Sequence, residues 1–239
     1  MSLSRGAFAA LLVGLLGGGS PLAAQTTVYN QLWLDYNPQI AIGAGHDLSG
    51  QIGWRTPLDE GEWSRWVLRA HVSERDGGFD WSAGAGMFYT RAEQAADLYE
   101  IRPFQGLRTK WPDGRFFRLD HYLRVEERLQ WTSAGSGTDF SVRLRYRLQT
   151  EWAVSGFRDE ASWRLILNAE AFGTMSSDRT PFGESSRLGV GIERGFPSAV
   201  RVRLDVIWQR AKGLFDRTFE QSSLDAIYFR LRLFQRFGS

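Results

Sequence analysis

The chain has 239 residues and no cysteine, and its 29 Lys and Arg residues nearly balance its 27 Asp and Glu residues, giving a formal net charge of +2 at pH 7. This balance excludes the strongly basic surface typical of nucleic-acid-binding proteins, and the absence of cysteine excludes disulfides as a source of stability. Lys110 and Lys212 are the only lysines, so nearly all of the cationic side chains are arginines. The planar guanidinium group suits fixed pairing with carboxylates.

Residues 1–25 have the pattern of a secretory signal peptide. Arg5 supplies a short positive region, residues 7–19 are apolar or glycine, and small residues offer a cleavage site after Ala24 or Gln25. An uncleaved membrane anchor is the alternative, but the apolar run is shorter than the roughly 20 residues that a spanning helix needs. We therefore predict an exported protein whose mature part, residues 26–239, forms one domain.

After the leader, eleven segments have the character of β-strands, and none has convincing helical periodicity. Most are well above the roughly five or six residues typical of strands in soluble sheets, and they approach the length of a tilted membrane strand. The segments are 28–42, 46–57, 63–74, 79–91, 98–110, 115–131, 139–152, 160–175, 185–195, 198–211 and 224–237.

The clearest alternation runs through residues 117–131, FRLDHYLRVEERLQW. Charged and polar side chains occupy its even positions, and apolar side chains occupy its odd positions except at His121 and Glu127. Side chains on a strand point to opposite faces in turn, so this pattern predicts one polar face and one apolar face. Segments 79–90, 139–149 and 200–209 alternate in the same way.

The connections between these segments also alternate in length. Short turns are predicted near 43–45, 76–78, 112–114, 155–158 and 195–198, and longer connections near 57–62, 92–97, 132–138, 176–184 and 212–223. Outer-membrane barrels have short periplasmic turns and longer outer loops. Because such barrels usually have an even number of strands, we predict a single antiparallel transmembrane β-barrel of about 12 strands (10–12), with a further strand hidden near 26–45, where Asn37-Pro38 interrupts the pattern.

Aromatic residues lie near the ends of the predicted strands on their apolar parity. Amphipathic rings favour the boundary between membrane and water. The alternative is a soluble barrel or sandwich whose core holds these rings, but the charged parity would then face bulk water. The tryptophans assigned to this apolar set are Trp33, Trp54, Trp81, Trp131, Trp163 and Trp208.

The last segment has apolar residues at alternate positions from Ile227 to Leu233, followed by Gln235 and Phe237. This pattern resembles the C-terminal signal of proteins inserted by the outer-membrane assembly machinery. Gln235 interrupts the apolar run, and two residues follow Phe237.

Three consecutive segments carry a charged signature: Glu100-Ile-Arg102-Pro-Phe-Gln105, Arg124-Val-Glu126-Glu-Arg128 and Arg143-Leu-Arg145-Tyr-Arg147-Leu. The signature resembles an exported bacterial family known as domain of unknown function 2490. That resemblance implies an outer-membrane barrel-like fold and supplies no activity, substrate or catalytic residue. Gln105 falls on the parity opposite to Glu100, so we predict a bulge or edge position at Pro103 that resets the phase.

Arginine on a lipid-facing position costs about 2–4 kcal/mol at the membrane midplane, so the charged parity is predicted to line the lumen as cross-strand ion pairs. This lining could select a solute, such as an anion, or simply pack the interior of a narrow barrel. The predicted ladder consists of Glu100, Arg102, Arg118, Arg124, Glu126, Arg128, Arg143, Arg145, Arg147, Arg201, Arg203, Asp205, Arg230 and Arg232.

Enzymatic activity has little support in the sequence. No nucleophile elbow, metal-ligand cluster, phosphate-binding loop or dinucleotide fingerprint occurs. His71, beside Ser73 and Glu74, is the one plausible general base. We assign no catalytic residue, metal or cofactor.

The predicted protein is thus an outer-membrane barrel of a Gram-negative bacterium, acting as a narrow channel or as a structural envelope protein. We expect a monomer whose partners are outer-membrane lipids and the assembly machinery, without nucleic acid. The alternatives are a membrane-embedded lipid hydrolase and a soluble periplasmic barrel that binds an apolar ligand.

Overall fold

The computed structural model describes residues 28–43, 45–59, 63–76, 78–93, 95–113, 118–135, 137–153, 163–175, 185–197, 199–212 and 223–238. The predicted leader therefore lies outside the described residues. Those residues contain no helix that could cross a membrane as a long apolar span.

Each of the eleven predicted segments coincides with one strand, because their alternation is a local property of extended chain. The strands are β1 (Val28–Gly43), β2 (His46–Pro57), β3 (Trp63–Asp76), β4 (Phe79–Ala92), β5 (Leu98–Asp113), β6 (Arg118–Thr132), β7 (Thr138–Ala153), β8 (Trp163–Met175), β9 (Ser185–Phe196), β10 (Val200–Lys212) and β11 (Ser223–Phe237).

The strands close into one barrel in which each pairs with its neighbours in the chain and β1 pairs with β11. The consecutive pairs are antiparallel, whereas β1 and β11 are parallel. The all-β barrel is confirmed, but the prediction of about 12 strands in a purely antiparallel sheet is wrong. An odd number of up-and-down strands places the first and last in the same direction, so this barrel can close only through a parallel pair.

The described residues near 26–45 hold one strand, β1, and no hidden second strand. β1 runs without interruption through Asn37 and Pro38, which pair with Phe234 and Gln235 of β11. Pro38 has no partner residue in β2, although the same register resumes at Gln39. Proline has no backbone N–H to donate, and this explains the local gap.

Because β1 and β11 are parallel, both begin at one end of the barrel and both finish at the other. We call one end the turn end: it carries the close connections from Gly43 to His46 and from Asp76 to Phe79, together with the end of β11. The other end, where β1 begins, is the loop end. The turn predicted at 155–158 lies outside the described residues, between Ala153 at the end of β7 and Trp163 at the start of β8.

The two parities of the strands meet different surroundings. Odd positions of β3 and β7 and even positions of β4, β5 and β6 point into the barrel. No bulge lies at Pro103: β5 keeps one register with β6 from Leu98 to Lys110, and Gln105 is exposed on the outer face. The prediction that the alternation of β5 changes phase at Pro103 is therefore wrong. It rested on Gln105 alone, a polar residue on the outer face of the strand.

The outer face is predominantly apolar and exposed. Near mid-height, Leu68, Met87, Val190 and Val206 are each more than half exposed. Outward aromatic side chains lie towards both ends. Those near the loop end are Trp54, Trp66, Tyr89, Tyr99 and Trp131, and those near the turn end are Phe79, Trp81, Trp163 and Phe196.

Trp33 does not belong to that outer set. It is 4% exposed inside the barrel and stacks on Tyr228 of β11, with ring centroids 4.4 Å apart. Leu34, on the other parity of β1, is outside and exposed. The assignment of Trp33 to the apolar outer face is therefore wrong.

Candidate functional site

Ion pairs line the interior of the barrel, both within single strands and between neighbouring strands. Glu126 of β6, 1% exposed, is the centre of one group. Its carboxylate lies 2.9 Å from Nε of Arg124 and 3.8 Å from Nη1 of Arg102, and it accepts hydrogen bonds from Arg143 of β7. Each of these residues occupies an inward position, so strand alternation and antiparallel register bring the guanidinium groups to the carboxylate.

Glu100 of β5 is the centre of a second group. Its carboxylate accepts two hydrogen bonds from Arg102, of 2.5 and 2.6 Å, and one of 2.6 Å from Arg128. The two-pronged contact with Arg102 is the geometry in which arginine binds a carboxylate most strongly. One connected network therefore joins six signature residues from the three charged strands, since Arg102 contacts Glu126 as well. They are Glu100, Arg102, Arg124, Glu126, Arg128 and Arg143.

On the other side of the barrel, Glu193 of β9 is fully buried and lies within 3.5 Å of Arg203, Arg201 and Arg164. Sequence reasoning identified Arg201 and Arg203 but missed Glu193. Its position in the alternation could have identified it: Glu193 lies between Ile192 and Arg194, which are exposed on the outer face, so its own side chain points inwards.

An ion pair crosses the seam between β1 and β11 as well: Nε of Arg230 lies 2.5 Å from Asp35. Beside it, Nη2 of Arg232 in β11 lies 2.7 Å from Asp205 of the neighbouring β10. Asp35 was missed because Trp33, on the same parity, had been assigned to the outer face. Glu170, which pairs with Arg145, was missed in β8.

Two predicted ladder residues have other roles. Arg118 is exposed at the turn end, where it pairs with Asp113 at 2.5 Å and lies away from the interior network. Arg147 points inwards but forms no ion pair within the described part of the chain.

Inward glycines make room for two of the buried carboxylates. A Cβ atom at Gly53 would lie 2.3 Å from Oδ1 of Asp35, and one at Gly191 would lie 2.4 Å from Oδ1 of Asp205. Each glycine pairs directly with its aspartate across the ladder. The aspartate side chains can therefore lie flat against the barrel wall, below the arginines that cover them.

Three cavities follow one another along the interior. The turn-end cavity has about 660 Å³, the central cavity about 300 Å³ and the loop-end cavity about 530 Å³. The turn-end and central cavities share His71 and Asn37, and the central and loop-end cavities share Arg55 and Arg65. Adjacent cavities therefore meet at common side chains. Closed barrels of eight strands are filled by side chains and those of 16 hold an aqueous channel, so partial filling is expected at eleven.

The central cavity is lined by arginine to an unusual degree and has no Asp or Glu in its lining. The remaining lining side chains are polar or aromatic, apart from the backbone contributed by Gly50. The twelve arginines are Arg55, Arg65, Arg69, Arg102, Arg108, Arg124, Arg143, Arg145, Arg147, Arg187, Arg230 and Arg232.

His71, the candidate general base, lies in this lining and tilts against Phe104 at 5.9 Å between ring centroids. Its Nδ1 is buried without a hydrogen-bond partner, and no hydrogen bond joins it to Ser73 within the described residues. His71 and Ser73 are therefore not hydrogen-bonded as a base and nucleophile in the described residues. No group of three or more metal-ligating side chains occurs among the described residues.

A search of curated proteins finds no match to this chain. A family model described as "Protein of unknown function (DUF2490)" matches residues 30–217, which is well over half of the sequence. The matched part runs from β1 to beyond β10 and includes all three strands of the charged signature. The resemblance seen in those strands is confirmed: this β-barrel chain belongs to the DUF2490 family.

Proposed function

We propose that this protein is an outer-membrane β-barrel whose interior forms a narrow conduit that favours anions. One observation carries the proposal: a closed barrel presents exposed apolar side chains outwards and an arginine-rich ion-pair network inwards. Water and lipid on opposite faces account for this inversion of the usual protein pattern, since soluble proteins rarely expose contiguous apolar surface of this extent.

Two further features support placement in the outer membrane. Outward aromatic rings lie near both barrel ends, and residues 1–25 have the pattern of a signal peptide. By contrast, a soluble barrel that binds an apolar ligand would need an apolar interior, and the described lining here is dominated by guanidinium groups.

A water-filled path is supported by the three adjoining cavities. Their shared lining residues join them from the turn end to the loop end, and the central one carries the positive charge. A narrow lumen lined by one sign of charge raises the local concentration of counter-ions and repels ions of like sign. The conduit should therefore pass small anions in preference to cations.

Planar-bilayer recording of the purified protein tests this function. Under a potassium chloride gradient, we expect small single-channel currents whose reversal potential shifts towards the equilibrium potential of chloride. Arg69→Gln should reduce that anion preference, because it removes a positive charge from the central cavity. Complete absence of current would favour a structural envelope role, and cation preference would contradict the proposal.

Cysteine labelling tests the orientation, since the natural chain has no cysteine to interfere. Ala134 is exposed between β6 and β7 at the loop end, and Pro197 is exposed after β9 at the turn end. If the loop end faces outwards, an impermeant maleimide should label Ala134→Cys on intact cells and Pro197→Cys only after the outer membrane is opened. The reverse pattern would invert the orientation, and labelling of neither on intact cells would argue against the outer membrane.

A further inference from the structure

We propose that the central cavity is a binding site for a phosphate group, presented by inorganic phosphate or by a small phosphate monoester. This proposal adds a ligand to the proposed conduit and rests on it in one respect: the ligand must enter the lumen through a barrel end. It does not require that ions cross the whole barrel.

The first argument is charge. Eight of the twelve arginines in the lining have carboxylate partners, and those eight share only six carboxylates. The carboxylates lie towards the wall and are absent from the lining itself. An anion in the cavity therefore meets a surplus of guanidinium charge without facing a carboxylate.

The second argument concerns four arginines, Arg55, Arg65, Arg69 and Arg147, which we call the unpaired arginines. None of them forms an ion pair within the described residues, and all four line the central cavity. The Nε atoms of Arg55, Arg69 and Arg147 are shielded from solvent and have no hydrogen-bond partner. Buried charged donors without acceptors are costly in a folded protein, and their convergence on one cavity suits a ligand that supplies acceptors.

The third argument is positioning. Three unpaired arginines are held over aromatic faces: Arg55 lies 4.1 Å from the ring centre of Trp33, and Arg147 lies 5.2 Å from that of Tyr122. Arg69 lies 5.6 Å from the ring centre of Phe104. A ring face attracts a guanidinium without accepting its N–H groups in plane. The aromatic contacts therefore orient these side chains and leave their donors free for a ligand.

The chemistry of the donors favours phosphate over chloride. Guanidinium groups bind two oxygen atoms of an oxyanion at once, and a tetrahedral phosphate offers such pairs in several directions. Chloride offers a single acceptor centre and one negative charge. A surplus of several positive charges on different strands is better matched by a multivalent anion.

Binding is tested on the full-length barrel, refolded in a zwitterionic detergent, by calorimetric titration at fixed ionic strength. The probes are inorganic phosphate, glycerol 3-phosphate, sodium chloride, and mixed micelles that contain phosphatidylglycerol. We expect saturable binding of the two free phosphates and none of chloride. Saturation by the lipid micelles alone would place the phosphate-binding surface outside the lumen and overturn the proposal.

The decisive variant is Arg69→Gln combined with Arg147→Gln. Loss of two charged donors should weaken phosphate binding at least about tenfold. The matched control is Arg118→Gln combined with Arg210→Gln, which removes the same charge from exposed ion pairs outside the cavity. Equal weakening in both double variants would reduce the effect to general electrostatics and overturn the site.

A second pair of variants, Arg69→Lys and Arg147→Lys, retains the positive charge and removes the planar guanidinium group, so phosphate binding should still weaken several-fold. Heat-modifiable gel mobility reports whether each variant folds. If the glutamine variants do not fold, the lysine variants provide the test. If phosphate binds but no single-channel current is recorded, the binding site stands and the proposed conduit is wrong. If current is recorded but phosphate binding does not saturate, the conduit stands and the binding site is wrong.

Discussion

Replacement of Glu126 by glutamine is expected to lower the free energy of unfolding by about 3–5 kcal/mol, because it leaves buried arginines without their counter-charge. Glu126 is 1% exposed and lies within ion-pair distance of Arg102, Arg124 and Arg143. The amide has nearly the same shape as the carboxylate, so packing changes little and the electrostatic loss dominates. Urea unfolding of the refolded barrel in detergent, followed by tryptophan fluorescence and gel mobility, measures the change.

The next residue provides a matched control. Glu127 lies on the opposite parity of β6, at an outward, partly exposed position, and no ion pair joins it to the described residues. Glu127→Gln should therefore leave the free energy of unfolding within about 0.5 kcal/mol of the natural protein, as is usual for surface substitutions. Equal losses in Glu126→Gln and Glu127→Gln would show that the interior network does not hold the barrel together.

Arginine at the middle of the outer face should impair insertion strongly. Val206 is the seventh of thirteen residues in β10 and is 51% exposed, between Val190 of β9 and Phe229 of β11. If this face meets lipid as proposed, Val206→Arg should cost about 2–4 kcal/mol at the midplane. The measurement is the folded fraction recovered in phospholipid vesicles across a urea series.

Depth provides the control for this substitution. Ser186 is the second residue of β9, exposed on the same outer face but at the loop end. Ser186→Arg should cost only about 0–1 kcal/mol near the membrane boundary. A soluble barrel would tolerate both substitutions equally, because both positions would face water. Equal tolerance would therefore contradict the membrane proposal.

The strands could be predicted because the alternation of polar and apolar side chains is a property of each short segment of sequence. In residues 118–131, the parity of each side chain identifies its face without any knowledge of the partner strand, and Glu127 points outwards as its parity indicates. The charged signature was recognisable for the same reason. Errors arose where local alternation is weak, as in β1, where apolar Leu34 and Trp33 are adjacent and only one faces outwards.

The strand count shows the limit of general rules. Eleven segments were visible in the sequence, and the usual even number of strands in such barrels led to a twelfth that the described part of the chain does not contain. Closure depends on how β1 meets β11, and these strands are nearly 200 residues apart in the chain. Asp35 and Arg230, which join them, are separated by 195 residues. Local patterns carry no information about such a pairing.

The sequence by itself determined that the chain forms long, two-faced strands with arginine and carboxylate on one side, since strand geometry alone assigns alternate residues to opposite faces. Only the tertiary structure decided the parallel seam and the distribution of charge inside. Whether an arginine pairs with Glu126 or, like Arg69, remains without a carboxylate depends on the register of strands that meet across the closed barrel. Strand register depends on residues far apart in the chain. It decides which arginines meet a carboxylate and which remain in the central cavity as a surplus of positive charge.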